Sequence, residues 1–262
     1  LTASSVVRKL TFTGSTEVGR VLTAQCAPTL KKLSMELGGN APFIVFDDAD
    51  LDSAVQGAIA SKYRNTGQTC VCTNRILVQA GVYETFAAKL SRAVLELKVG
   101  AGTEPDVSQG PLIDHNALEK VEELVAEAVA QGARVVCGGQ RHARGGTFYE
   151  PTVLTEVTTG MKLAREEIFG PVAALFRFQT EDEAVRMAND TEFGLAAYFF
   201  SRDHGRCWRV GARLEAGIIG INTGLISTAV APFGGVKQSC QGREGSRHGA
   251  EDYLHLKYLC MG

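Results

Sequence analysis

The chain has 262 residues, 45% of them hydrophobic and 21% charged, with a formal net charge of −2. That length is too great for a disulfide-stapled mini-domain and enough for one large core or two smaller ones. The near-balance of charge gives no electrostatic reason to expect nucleic acid or a membrane surface as partner, and no apolar run approaches the ~20 residues of a spanning helix.

In chain order, Val6-Arg8-Leu10-Phe12 reads as a strand broken at Thr13-Gly14-Ser15. A helix follows from about Thr16 to Gln25, with Val18, Val21 and Leu22 on one face. Ala41 to Phe46 is a short buried strand. Asp50 or Asp52 caps the next helix, whose Leu51, Ala54, Val55, Ala58 and Ile59 keep the helical period and which Gly67 is placed to end. A strand at Arg75 to Gln79 precedes an amphipathic helix carrying Val82, Phe86, Leu90, Val94 and Leu97. Asn116 to Gln131 is a further helix stopped by Gly132, followed by a strand at Ala133 to Cys137 and an exposed hairpin or turn at Gly138 to Gly146. The remainder alternates: strand Val172–Phe178, helix Glu181–Ala188, strand Leu195–Ser201, helix Gly205–Glu215, strand Ile218–Asn222. Repeated strand-helix-strand units predict an α/β fold with parallel sheets covered by helices.

Seven cysteines, an odd number without framework spacing, predict mostly small buried hydrophobes in a reducing compartment. Cys70 and Cys72 differ, standing one residue apart in KYRNTGQTCVCTNR (62–75). Zinc needs about four ligands, and neither a second cysteine pair nor a histidine pair is spaced to supply them, so no metal site is expected. A working thiol needs its thiolate favoured or a base within reach. The Asn65–Thr69 turn offers backbone N–H groups to a developing oxyanion. Arg64 suits a substrate anion, although arginine near a helix C-terminus is also ordinary surface decoration.

Other stretches read two ways. In FTGSTEVG (12–19), a Gly-Ser turn between strand and helix suits a phosphate, yet an ordinary tight turn explains it as well. In MELGGN (35–40), Glu36 is either a carboxylate satisfied by a lysine or backbone, or a general base tuned by burial. EEIFGPV (166–172) and PFGGVKQS (232–239) are glycine-proline turns with a phenylalanine, bland when taken singly.

Together, and in this order, these five stretches resemble the NAD(P)-dependent aldehyde dehydrogenase family from end to end. KYRNTGQTCVC, GLIS (224–227), GREGS (242–246) and the ending LKYLCMG are similar to its succinate-semialdehyde dehydrogenase branch. The resemblance implies a three-layer parallel-sheet catalytic domain. It makes Cys70 the nucleophile, with its main-chain N–H on the oxyanion, and Glu36 the base that activates the hydrolytic water. Gly14 and Ser15 would lie against the NAD or NADP cofactor, Glu167 and Lys120 would touch its nicotinamide ribose, and Phe169 would pack beside it. Phe233 would line the substrate tunnel. Arg64 and Ser227, with Thr228 as an alternative, would hold the carboxylate of a four-carbon semialdehyde. Cys72 would form a redox disulfide with Cys70. The branch is found in cytoplasm, with the mitochondrial matrix as alternative, and assembles as homodimers or tetramers.

Family members are nearly twice as long. The resemblance therefore implies a remnant of the cofactor domain at 1–38, a catalytic domain at 39–237, a return to the cofactor domain at 238–251 and an oligomerisation strand at 252–262. The adenosine pocket, a second oxyanion donor and another substrate arginine would lie upstream of Leu1, where a natural N-terminus is expected to be missing. SCQGREG (239–245) departs from the family pattern, with Cys240 and Gln241 where a glycine and an apolar residue are usual. Two functions follow as expectations: part of a dehydrogenase acting on a small acid-bearing aldehyde, or a non-dehydrogenase module with a reactive thiol, serving as an esterase, a thioesterase or an assembly element.

Overall fold

Successive residues of a strand leave on opposite faces, so a sheet buried on both sides needs strands apolar at every position. Phe43, Ile44, Val45 and Phe46 meet that condition, each fully buried. The computed structural model describes residues 1–262. Its elements are β1 (Lys9–Thr13), α1 (Thr16–Cys26), β2 (Lys32–Glu36), β3 (Ala41–Val45), α2 (Leu51–Lys62), β4 (Thr73–Gln79), α3 (Tyr83–Leu95), α4 (His115–Ala130), β5 (Arg134–Cys137), β6 (Thr152–Thr155), β7 (Val172–Phe178), α5 (Glu181–Asn189), β8 (Phe193–Gly194), β9 (Ala196–Phe200), α6 (His204–Arg213), β10 (Ile218–Ile221), β11 (Val236–Lys237) and β12 (Cys240–Gln241).

Seven strands form the main sheet in the order β10-β9-β3-β4-β7-β6-β5. All neighbours are parallel except β5, which pairs antiparallel with β6 through a hairpin over 138–151. The sheet is therefore mixed and mostly parallel. Phe43 and Val45 point into one core with α2 and α3; Ile44 and Phe46 point into the other with α4, α5 and α6. The result is the expected three-layer α/β arrangement.

Caps set the helix starts: Asp50 accepts from Ser53 N at 3.1 Å, and Asp114 and Thr180 do the same for α4 and α5. One expected stop is different. α2 ends at Lys62 rather than Gly67, because Asn65 and Thr66 take left-handed backbone and turn the chain out of the helix.

A separate three-stranded sheet has the order β1-β2-β12, with β12 antiparallel to β2. Helix α1 lies at this small sheet with Val18 and Val21 exposed. Leu254, Leu256, Tyr258, Leu259 and Met261, in the predicted oligomerisation strand, are exposed and belong to no strand of this chain. No helix is long and apolar enough to cross a membrane.

Candidate active site

The turn before β4 holds Cys70 by backbone conformation. Asn65, Thr66 and Gly67 are three successive left-handed residues with φ of 49°, 57° and 76°. Thr is β-branched and pays for that region in strain, of order 1–3 kcal/mol; two hydrogen bonds between Thr66 Oγ1 and the Gly110 backbone hold it there. Gly67 is required on two grounds, its positive φ and its contact with Gly170, whose carbonyl oxygen lies 2.1 Å from where a Cβ would stand. On the other side the Cys70 carbonyl oxygen lies 2.4 Å from the Cβ that Gly39 lacks. The Cys70 amide N–H donates to no other residue, as an oxyanion donor requires.

Glu36 closes β2 and reaches the same region through Gly38-Gly39. The residue is 4% exposed, and its Oε2 has no hydrogen-bond partner. Burial pushes its carboxyl up to about 7, opposed by a hydrogen bond from Cys240. The Cys70 thiol is pushed up to about 11 by burial first and then by the negative charges of Glu167 and Glu36. At rest the sulfur is therefore a protonated thiol beside carboxyls poised to change charge near neutrality. A base near pH 7 that can take or return a proton is well matched to acyl chemistry at that sulfur.

Glu167 lies on the other flank, its Oε1 accepting from Gly39 N at 3.1 Å and its backbone carbonyl from Lys120 Nζ at 2.7 Å. Burial raises its carboxyl to about 7, opposed by the Gly39 N–H and by the charges of Lys120 and Lys62. Phe169 is partly exposed beside it, with φ of 55°. At the far side of the turn, Arg64 Nη1 donates to Ser227 Oγ at 3.1 Å. Phe233 packs, like Cys70, at the edge of the core formed with α2 and α3. No group of three or more His, Cys, Asp or Glu side chains is placed to hold a metal ion.

Residues 1–259 match the model of the aldehyde dehydrogenase family. The chain belongs to that family. It is 64% identical, over its whole length, to a 3-sulfolactaldehyde dehydrogenase of Pseudomonas putida, of which it covers 54%. It is 62% identical to the succinate-semialdehyde dehydrogenase [NADP(+)] of Escherichia coli strain K12, again over its full length and 54% of that protein. The crystal structure of succinate-semialdehyde dehydrogenase from Burkholderia pseudomallei superposes with a TM-score of 0.98 at 65% identity, covering 99% of this chain and 54% of that one. The chain thus spans about half the length of the curated relatives it matches.

Within this aldehyde dehydrogenase fold, the residues fit the nicotinamide end of a dinucleotide. Oε2 of Glu167 takes no protein donor and lies 3.0 Å from where a Gly38 Cβ would stand, so the missing side chain leaves that oxygen clear. Gly14 and Ser15 fit less directly. The Gly14 N–H is spent on Glu36 O at 3.0 Å, its missing Cβ makes room for the Phe12 ring, and Ser15 Oγ caps α1 through Val18 N.

Further residues to which the sequence reading gave no role also act here. Cys240 contacts Glu36, and Arg243 and Glu244 act on its charge. Ser239 is fully buried and ties the Gly38 carbonyl to the Gly194 N–H. Lys62, also buried, is lowered to about 8 by desolvation, opposed by Cys72 and Glu167. Cys72 is a buried free thiol, 2.9 Å from Thr69 Oγ1 and within hydrogen-bond reach of the Arg64 carbonyl. The departure of SCQGREG from the family pattern was the available signal for Cys240; nothing in the sequence marked Lys62 as buried.

Proposed function

We propose that this chain carries the acyl-transfer half of an enzyme that oxidises a short, acid-bearing aldehyde, of which succinate semialdehyde is the type, with NAD or NADP. The observation that carries the reading is the buried Glu36, with one unpartnered oxygen, whose charge acts on the free thiol of Cys70.

The Cys70 thiol gives its proton to solvent, and as Sγ bonds to the aldehyde carbon the carbonyl π pair moves onto the oxygen. The unspent Cys70 N–H receives that oxyanion. NAD(P)+, when bound, would supply a hydride acceptor, the chemistry that distinguishes a thioester from a thiohemiacetal. Glu167, with Lys120 behind its backbone and Phe169 beside it, would hold the nicotinamide ribose. Glu36 then takes a proton from the water that attacks the thioester, and sulfur departs as a good leaving group. Arg64 and Ser227 receive the distal carboxylate, and Phe233 borders the path to the sulfur. The three proteins compared above are named for short aldehydes whose other end is an anion, which suits an arginine there. The domain limits at 38, 237 and 251, homo-oligomeric assembly, and the cytoplasm or mitochondrial matrix as compartment belong to the same reading, as does oxidative pairing of Cys70 with Cys72.

The hydrolytic half needs no cofactor. Purified chain given p-nitrophenyl acetate is expected to release a burst of nitrophenol, carry an acetyl group on Cys70 by mass spectrometry, and turn over slowly. Cys70→Ala abolishes the burst; Glu36→Gln keeps it and lowers turnover about 100-fold or more, with acyl-protein accumulating. Normal turnover in Glu36→Gln would refute the assignment. With succinate semialdehyde and NAD or NADP, the chain alone is expected to give little reduced cofactor, since its own residues reach only the nicotinamide end.

A further inference from the structure

Cys240 stands directly across from Glu36 in the antiparallel pairing of β12 with β2. Opposed residues in such a pair project to the same face, where their side chains interact. Cys240 Sγ is 2.9 Å from Glu36 Oε1 and is the sole hydrogen-bond donor to that carboxyl group. The nearby cation is otherwise engaged: Arg243 Nη1 donates to the carbonyls of Gly235 at 2.8 Å and Gly242 at 2.7 Å. Gly234 leaves the space for this contact, since a Cβ there would lie 3.1 Å from both Cys240 Sγ and Glu36 Oε1.

We propose that Cys240 is a positioning residue for the general base: its S–H fixes Oε1 of Glu36 and leaves Oε2 as the oxygen that meets the hydrolytic water. The inference rests on Glu36 being the base.

The thiol has one proton and two acceptors, Glu36 Oε1 at 2.9 Å and Gly242 O at 3.2 Å. A donor favours the ionised carboxylate, so with Glu36 charged the proton points to Oε1. Once Glu36 is protonated, Gly242 O becomes the better acceptor and Oε1 is released. The base is thus held in place in the form that works and let go in the form that does not. The charged and titratable groups acting on Glu36 are Cys240, Arg243 and Glu244 from the β12 segment and Cys70 from the turn before β4. Glu244 opposes ionisation; Arg243 and the Cys240 hydrogen bond favour it. Cys240 itself is kept protonated, its thiol pushed up to about 12 by burial and by Glu36, so it remains a donor across the working range.

The test reads Glu36 directly. The protonated-carboxyl band of Glu36 is followed against pH by infrared difference spectroscopy on the intact chain, assigned by its loss in Glu36→Gln, and the pH profile of p-nitrophenyl acetate turnover is recorded in parallel. Cys240→Ala is expected to move both midpoints up by about half to one pH unit, the size expected for losing a weak thiol donor to a charged group. Turnover at pH 6 then falls about three- to tenfold, while turnover at pH 9 changes little. Cys240→Ser restores a donor and returns both midpoints to the parent value or below. Cys240→Gly serves as the donor-free comparison if the alanine variant does not fold. An infrared midpoint in the donor-free variant equal to that of the parent overturns the proposal. An infrared shift in a parent chain that shows no ester turnover preserves the Cys240 contact and removes Glu36 as base.

Discussion

Arg64 and Ser227, far apart in sequence, meet through a 3.1 Å hydrogen bond that joins the Cys70 turn to the loop after β10. Both side chains are exposed, so the bond itself stabilises the fold little. Its consequence is orientation: the serine aims a guanidinium whose remaining N–H groups are free for a carboxylate.

Arg64→Ala is expected to lower acylation by a p-nitrophenyl hemisuccinate about tenfold relative to p-nitrophenyl acetate, the loss of one charge-assisted hydrogen bond in a partly wet site. Arg64→Lys recovers only part of this, because a point charge cannot grip two oxygens in parallel. Equal losses with both esters would show that Arg64 supports the turn and does not read the acid.

The Cys70 thiol should alkylate with iodoacetamide slowly at pH 8 and faster through pH 10, as its raised value of about 11 requires. Glu167 and Glu36 both hold the thiolate back by their charge. Glu167→Gln and Glu36→Gln should therefore move the alkylation profile to lower pH by about half a unit, Glu167→Gln more. The measurement is peptide mass spectrometry of Cys70 against time. Slower alkylation in Glu36→Gln at pH 8 would mean instead that Glu36 deprotonates the resting thiol.

The two raised carboxyls also set a pH dependence of stability. Both sit near 7 when folded and near 4.5 otherwise. The folded chain thus binds protons the unfolded chain has released. Stability from these groups is complete below about 4.5 and is lost as pH rises through about 7. Glu36→Gln should raise Tm at pH 8 by about 2–4 °C, equivalent to about 1 kcal/mol, and leave it unchanged at pH 4. The gain in stability accompanies loss of turnover, as expected where a buried charge is kept for chemistry.

Gly67→Ala should cost about 3 kcal/mol or more, because a methyl group would stand 2.1 Å from the Gly170 carbonyl oxygen at a φ of +76°. A denaturant melt gives the magnitude. Loss of the p-nitrophenyl acetate burst at a pH where the variant remains folded would locate the damage at Cys70.

Much of this molecule is local in origin and was readable from the chain. The unbroken apolar run of Phe43 to Phe46, the Asp50 cap and the amphipathic α3 and α4 each depend on neighbours a few residues away. The short strands β2, β6 and β12 escaped because four or five mixed residues, or two, carry no period. β2 becomes a strand only when β1 and β12 flank it. The Arg64–Ser227 and Glu167–Lys120 contacts join residues that the resemblance alone had paired at one ligand each, since no spacing rule connects such distant residues. The Cys240–Glu36 contact had no such guide. Its partners are 204 positions apart, and only the return of β12 to the small sheet brings them within reach.

The left-handed run at Asn65–Gly67 has a consequence for how this protein tolerates change. The path of the main chain places the sulfur, with Cys70 against the Gly39 backbone and Gly67 against the Gly170 backbone. Exchanging the atom at the tip, for oxygen or selenium, should leave every neighbour where it is. Adding a single residue to the seven from Arg64 to Cys70 would break both contacts. Chemistry at this position is easy to re-tune, and its address is not.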